Sequence, residues 1–137
     1  MNKNKLSKDE FFRSMDVVKE HLKSAEILLN AGQYRDSISR SYYAFFDLVA
    51  ALLASKGLIV KTHSGALQKL GLYFIKTGIL PIDTGKSMIK LLEARQKADY
   101  EWKIDFSIKD AQEAYKDAEA FINLIEKLID KIYLHKE

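Results

Sequence analysis

Residues 38–55 read ISRSYYAFFDLVAALLAS, and this run decides the architecture. Ile38, Tyr42, Phe45, Val49 and Leu52 recur at alternating steps of four and three, the spacing that places side chains on one stripe of an α-helix. Phe46, Ala50 and Leu53 make a second stripe beside it. A helix apolar over so much of its circumference has to be enclosed by other elements, so this is the central helix of a bundle. Asp36, Arg40, Tyr43 and Asp47 share the remaining face, the first place to look for function.

Working outward, Ser7 and Glu10 have capping-box spacing and open a first helix. Its seam is Phe11, Met15, Val18, Leu22, Ala25 and Leu29, closed by Gly32. The central helix then spans Gln33 to Lys56 and ends at Gly57. After a short connection, Leu58 to Thr62, either Thr62 or Ser64 caps a third, shorter helix, with Leu67, Leu70, Tyr73 and Phe74 inward and Gly78 as its stop. Pro81 marks a break, and Asp83 or Thr84 caps a fourth helix carrying Met88, Leu91, Leu92, Ala98 and Trp102. Beyond Lys103 to Phe106, Ser107 and Asp110 repeat the capping spacing. The fifth helix carries Ala111, Tyr115, Ala118, Ile122, Ile125, Ile129 and Ile132. The expected fold is all-α: an antiparallel up-and-down bundle of four long helices plus one short helix, a single domain over residues 1–137.

Composition narrows the function classes. A chain of 137 residues with 47% hydrophobic and 30% charged side chains suits a globular core rather than disorder. No apolar run is long enough for a membrane span. The first residues, MNKNKLSKDEFF, lack the apolar centre of a signal peptide, and a cytoplasmic location is expected. The absence of cysteine excludes disulfides, thiolate metal sites and cysteine nucleophiles. A net charge of +3 is compatible with RNA or a nucleotide without specifying either.

Arg95 is the most informative single residue, because the fourth helix's seam runs Met88, Leu91, Arg95, Ala98, Trp102. An arginine in an apolar seam is unfavourable unless it is paired, or faces a cleft or a second chain. Asp99 lies one turn on, where an ordinary surface pair would contribute about 0.3 kcal/mol. Arg40 poses the same question: Asp36 is placed for a local pair, while Tyr43 beside it allows a phosphate-facing edge. His63 stands at a helix start next to Lys61 and Thr62, suited to an anion or to simple capping. His21 and His135 receive no role. The three histidines have no metal-ligand spacing, no Glu-x-x-His pair recurs, and there is no Gly-rich phosphate loop or nucleophilic-serine motif. No metal or cofactor is expected.

Four motifs in order resemble the HEPN superfamily, in particular its small stand-alone members with an Arg-x-x-x-Asp-Tyr signature. They are Ser39-Arg40-Ser41-Tyr42-Tyr43-Ala44, Lys61-Thr62-His63-Ser64-Gly65, Lys76-Thr77-Gly78, and Arg95-Gln96-Lys97-Ala98-Asp99-Tyr100. The resemblance covers nearly the whole chain. It implies a helical bundle that homodimerises, a partner of the minimal nucleotidyltransferase type in a toxin–antitoxin pair, and, in many members, metal-independent RNA cleavage by an arginine followed at a short gap by a histidine. Here the positions where that histidine should fall are Tyr100, Glu101 and Trp102.

The leading expectation is therefore a protein that binds RNA or a nucleotide in a cleft near Arg95, with Arg40 and Arg95 on phosphate. Asp99 would orient Arg95, and Tyr43 and Tyr100 would shape the cleft or stack on a base. Two alternatives stand beside it. One is a metal-independent endoribonuclease in which Arg95 stabilises the phosphorane and His63 or Asp99 moves protons. The other is a structural partner protein without a ligand.

Overall fold

The enclosure demanded by residues 38–55 is what the fold provides. The computed structural model describes residues 5–134. They form α1 (Lys8–Asn30), α2 (Tyr34–Ala54), α3 (His63–Leu70), α4 (Ile82–Tyr100) and α5 (Ile108–Leu134). Among the described residues there is no strand. Ile38, Tyr42, Phe45, Val49 and Leu52 are all fully buried, and α1, α4 and α5 each pack against α2.

Chain direction follows from side-chain partners. Asp47 of α2 meets His21 of α1, and Ser37 near the start of α2 meets Ala25 near the end of α1. Ser39 of α2 meets Asp99 at the end of α4. Both α1 and α4 therefore run antiparallel to α2. Lys8 pairs with Asp130 at 2.8 Å, so α1 and α5 are antiparallel too. That leaves α2 and α5 as the parallel diagonal of an up-and-down bundle, joined by Phe45 stacked on Phe121 at 4.1 Å.

A third buried stripe on α2 was not anticipated. Ser37, Ser41, Ala44, Leu48 and Ala51 are as enclosed as the large apolar residues. Small side chains let two helix backbones approach closely. Ser37 keeps its hydroxyl satisfied by donating to the Ala25 carbonyl of α1 at 2.7 Å, whereas the buried Ser41 hydroxyl has no partner among the described residues.

The helix ends largely obey their local chemistry. Ser7 and Glu10 form the capping box of α1, each side chain taking the other's backbone N–H. Ser107 and Asp110 do the same for α5 at 3.2 and 2.9 Å. Thr62, not Ser64, caps α3 by accepting from the Gly65 N–H at 2.9 Å. Gly32 follows α1 with φ 79°, a left-handed backbone that favours glycine. After α3 the chain continues through one π-helical turn, Gly71–Ile75.

Two expectations about α4 are corrected. Neither Asp83 nor Thr84 caps it: Pro81 occupies the cap position with an extended backbone, φ −70° and ψ 157°, Asp83 lies in the first turn, and Thr84 is buried. Proline fits there because it has no N–H to leave unpaired. Trp102 is not a seam residue. The helix ends at Tyr100, and Trp102 stands in the following loop, 79% exposed. Among the described residues no helix is long and apolar enough to cross a membrane.

Candidate functional site

Arg95 of α4 is the hub of a cluster built with the N-terminal half of α2. Its Nε lies 2.8 Å from an Asp99 carboxylate oxygen, and Nη2 donates to the Tyr43 hydroxyl at 2.9 Å. The other Asp99 oxygen accepts from the Ser39 hydroxyl at 2.7 Å. The guanidinium also lies 5.6 Å from the Tyr42 ring centroid, 5.3 Å from that of Tyr43 and 6.0 Å from that of Tyr100. Three ring faces and a carboxylate thus answer the cost of placing a cation in the seam. These partners come from one chain, although the buried Nε–H is paired with Asp99 by charge alone and makes no hydrogen bond among the described residues. Only 13% of the side chain's surface is open. Burial acts to lower its pKa, but Tyr43, Asp99 and Tyr100 together outweigh it, and Arg95 is held above the ordinary arginine value.

Tyr42 carries the cluster on to α3. Its hydroxyl hydrogen-bonds His63 Nδ1, and the two ring centroids are 5.5 Å apart. Phe46 packs edge-on against the same imidazole at 4.8 Å. Burial pushes the Tyr42 hydroxyl far above the ordinary tyrosine value, with Arg95 opposing. The hydroxyl donates to Nδ1 in one imidazole tautomer and accepts from Nδ1–H in the other. His63 therefore joins the Arg95 cluster through one intervening ring, although α3 is separated from α4 in sequence by the π-helical turn.

The remaining candidates separate. Tyr100 is 71% exposed at the end of α4. Arg40 is exposed on α2, and among the described residues its side chain forms no ion pair with Asp36 and no hydrogen bond to the Arg95 cluster. Asp47 leaves the shared strip to meet His21 Nε2 at 3.2 Å. Burial raises the Asp47 pKa, and His21 offsets part of that rise. His135 lies outside the described residues. No group of three or more metal-ligating side chains occurs among the described residues.

Arg35 has no counterpart in the sequence reading. Nη1 donates to the Ala98 carbonyl and Nη2 to the Ile104 carbonyl, each at 2.5 Å. The guanidinium also lies 5.0 Å from the Phe106 ring centroid. It thereby satisfies the end of α4 and holds the loop into α5. Separately, a cavity of about 360 Å³ is lined by Ile38, Leu91, Ala94, Phe106 and Ala114 with a charged rim; it does not include Arg95.

The fold is a helical bundle with an arginine braced between a carboxylate and tyrosines. The HEPN domain model matches residues 17–128. A Methanocaldococcus jannaschii protein named "Putative toxin" is 33% identical over 129 residues, 94% of this chain and 96% of that protein. A UPF0332 protein of Thermotoga maritima is 35% identical over 114 residues, 83% of this chain and 86% of that protein. A second M. jannaschii protein of the same "Putative toxin" name is 32% identical over 131 residues, 95% of this chain and 89% of that protein. The chain belongs to the HEPN family.

Proposed function

We propose that this chain is a toxin-like HEPN protein that binds RNA or a nucleotide at the Arg95 surface. It acts in the cytoplasm as a homodimer, paired with a minimal nucleotidyltransferase in a toxin–antitoxin-like system. The names of the M. jannaschii relatives support the toxin class. The observation that carries the ligand reading is the bracing of Arg95. Asp99, itself fixed by Ser39, pairs by charge with the Nε side of the guanidinium and Tyr43 accepts from Nη2, while Nε–H and Nη1 make no hydrogen bond among the described residues. A pre-positioned planar cation with free donors suits a phosphate oxygen. Tyr43 and Tyr100 supply ring faces beside it, and Arg40 adds charge on α2. In a binding assay with labelled RNA, Arg95→Ala should weaken affinity by about tenfold or more, the loss of one charged hydrogen bond. Circular dichroism should be unchanged. Equal affinity for variant and wild type refutes the reading.

One observation favours a metal-independent endoribonuclease as the second reading: the link from Arg95 through Tyr42 to His63. A histidine is the natural proton-transfer group near neutral pH, and this one comes from α3 rather than from the positions after Arg95. Asp99 is already engaged by Arg95 and Ser39. On this reading RNA is cut in the presence of a chelator, and both Arg95→Ala and His63→Ala abolish cutting. Cleavage that survives His63→Ala removes the histidine from the mechanism.

A further inference from the structure

Resting on the reading of Arg95 as a phosphate anchor, we infer that Tyr100 and Trp102 form a stacking platform for the unpaired bases of a single-stranded nucleic acid. Tyr100 is 71% exposed and Trp102 79% exposed, two large aromatic faces open to water within three residues of chain. Each has a cation against it: the Arg95 guanidinium lies 6.0 Å from the Tyr100 centroid, and Lys103 Nζ lies 5.4 Å from the Trp102 centroid. Lys97 is exposed one turn before the helix end.

The backbone beneath these rings is fixed. Arg35 ties together the Ala98 and Ile104 carbonyls on either side of them, and the Ile104 N–H closes a turn on the Glu101 carbonyl at 3.1 Å. The rings are thus displayed on a held loop, which lowers the ordering cost of binding. Open ring faces interleaved with cations match a strand whose bases stack while its phosphates are neutralised. A duplex keeps its base faces covered and offers Arg95 only backbone. The platform therefore selects unpaired strands, where Arg95 alone would accept any phosphate.

Trp102 is the only tryptophan in the chain, so its emission reads the platform directly. The full chain is titrated with a short oligoadenylate RNA, with the same strand annealed to its complement, and with inorganic tripolyphosphate. The single strand should quench Trp102 saturably; the duplex and tripolyphosphate should not. In fluorescence anisotropy with labelled oligoadenylate, Trp102→Leu should weaken binding by about tenfold, and Trp102→Phe, which keeps a ring face, by less than about threefold. If Trp102→Leu binds as tightly as wild type while Arg95→Ala is weakened, the platform is refuted and the phosphate anchor survives. If wild type binds no RNA at all, the anchor reading falls, and the platform with it. A third outcome also overturns the platform. Trp102 emission would shift with protein concentration alone, and Trp102→Leu would convert a sedimenting dimer to monomer, assigning the ring to a protein interface.

Discussion

Replacing Arg35 with alanine tests the strongest tertiary tie to the end of α4. Two guanidinium nitrogens donate to the carbonyls of Ala98 and Ile104, each at 2.5 Å. Longer approaches reach the Lys97 and Glu101 carbonyls at 3.5 and 3.4 Å. Hydrogen bonds from a charged donor contribute about 1.5–3 kcal/mol each. The site is only partly buried, so the lower figure applies to the two close bonds, and the long ones add little. The charge at a helix C-terminus adds about 0.5 kcal/mol, and the contact with the Phe106 face a similar amount. The total is about 4 kcal/mol. With a urea slope of about 2 kcal/mol/M, the unfolding midpoint should fall by about 2 M. Arg35→Lys keeps the charge but cannot span two carbonyls with one ammonium, so it should lose about half as much. Circular dichroism follows the helices while Trp102 emission follows the loop. A midpoint for Arg35→Ala within about 0.3 M of wild type, equivalent to roughly 0.6 kcal/mol at that slope, refutes the assignment of Arg35 as the cap of α4.

Three further outcomes follow from burial. Ser41→Ala removes a buried hydroxyl without a partner and should stabilise the fold by about 1 kcal/mol, read as a higher thermal midpoint; a lower one would show that the hydroxyl is bonded. Phe45→Ala deletes a fully buried ring stacked on Phe121 at 4.1 Å and should cost about 4 kcal/mol in urea unfolding. Alkaline pH should destabilise the protein. Burial holds Tyr42 above the ordinary tyrosine value, and burial followed by Glu10 raises Tyr133 to about 12. The stability each contributes is whole below the unfolded value of about 10, and is lost as pH rises toward the folded values, by up to about 1.4 kcal/mol per pH unit per tyrosine. Urea midpoints measured on either side of about pH 10 check this, and a flat profile contradicts it.

Most of the helices were legible because their information is local. The four-three rhythm of Phe11 to Leu29 and of Ala111 to Ile132, with capping boxes at Ser7 and Ser107, needs no distant partner to be read. The same rhythm misled at Trp102, because periodicity carries no signal for where a helix stops when the terminating contact comes from elsewhere. That contact is Arg35, more than 60 residues away from the carbonyls it binds, and at the start of α2 it looks like any surface arginine. Ser37 and Ser41 carry no apolar signal in the sequence, yet both are fully buried, and Ser37 bonds the Ala25 carbonyl of α1. Around the candidate site, the Arg95–Asp99 pair was visible as an i, i+4 spacing. Its brace by Tyr43 and the link to His63 through Tyr42 exist only once α2, α3 and α4 are packed. Arg40 and Asp36 met the same spacing rule and stayed apart, since solvent offers two exposed charges nearly as much as each offers the other.

The burial of α2 on so many sides bears on the order in which the molecule comes apart. Its backbone amides are shielded by α1, α4 and α5 together, so no single helix can peel away and leave them fully open to exchange with solvent. α3 and the π-helical turn that follows it hold no such central place. Partial openings therefore belong to α3, which carries His63, and to the turn after it, while Arg35 holds the loop after α4. The amides from Ala44 to Leu53 exchange only when the whole bundle unfolds. The segment that carries His63 is thus able to loosen on its own, while the helix that braces Arg95 through Tyr43 stays shut until the end.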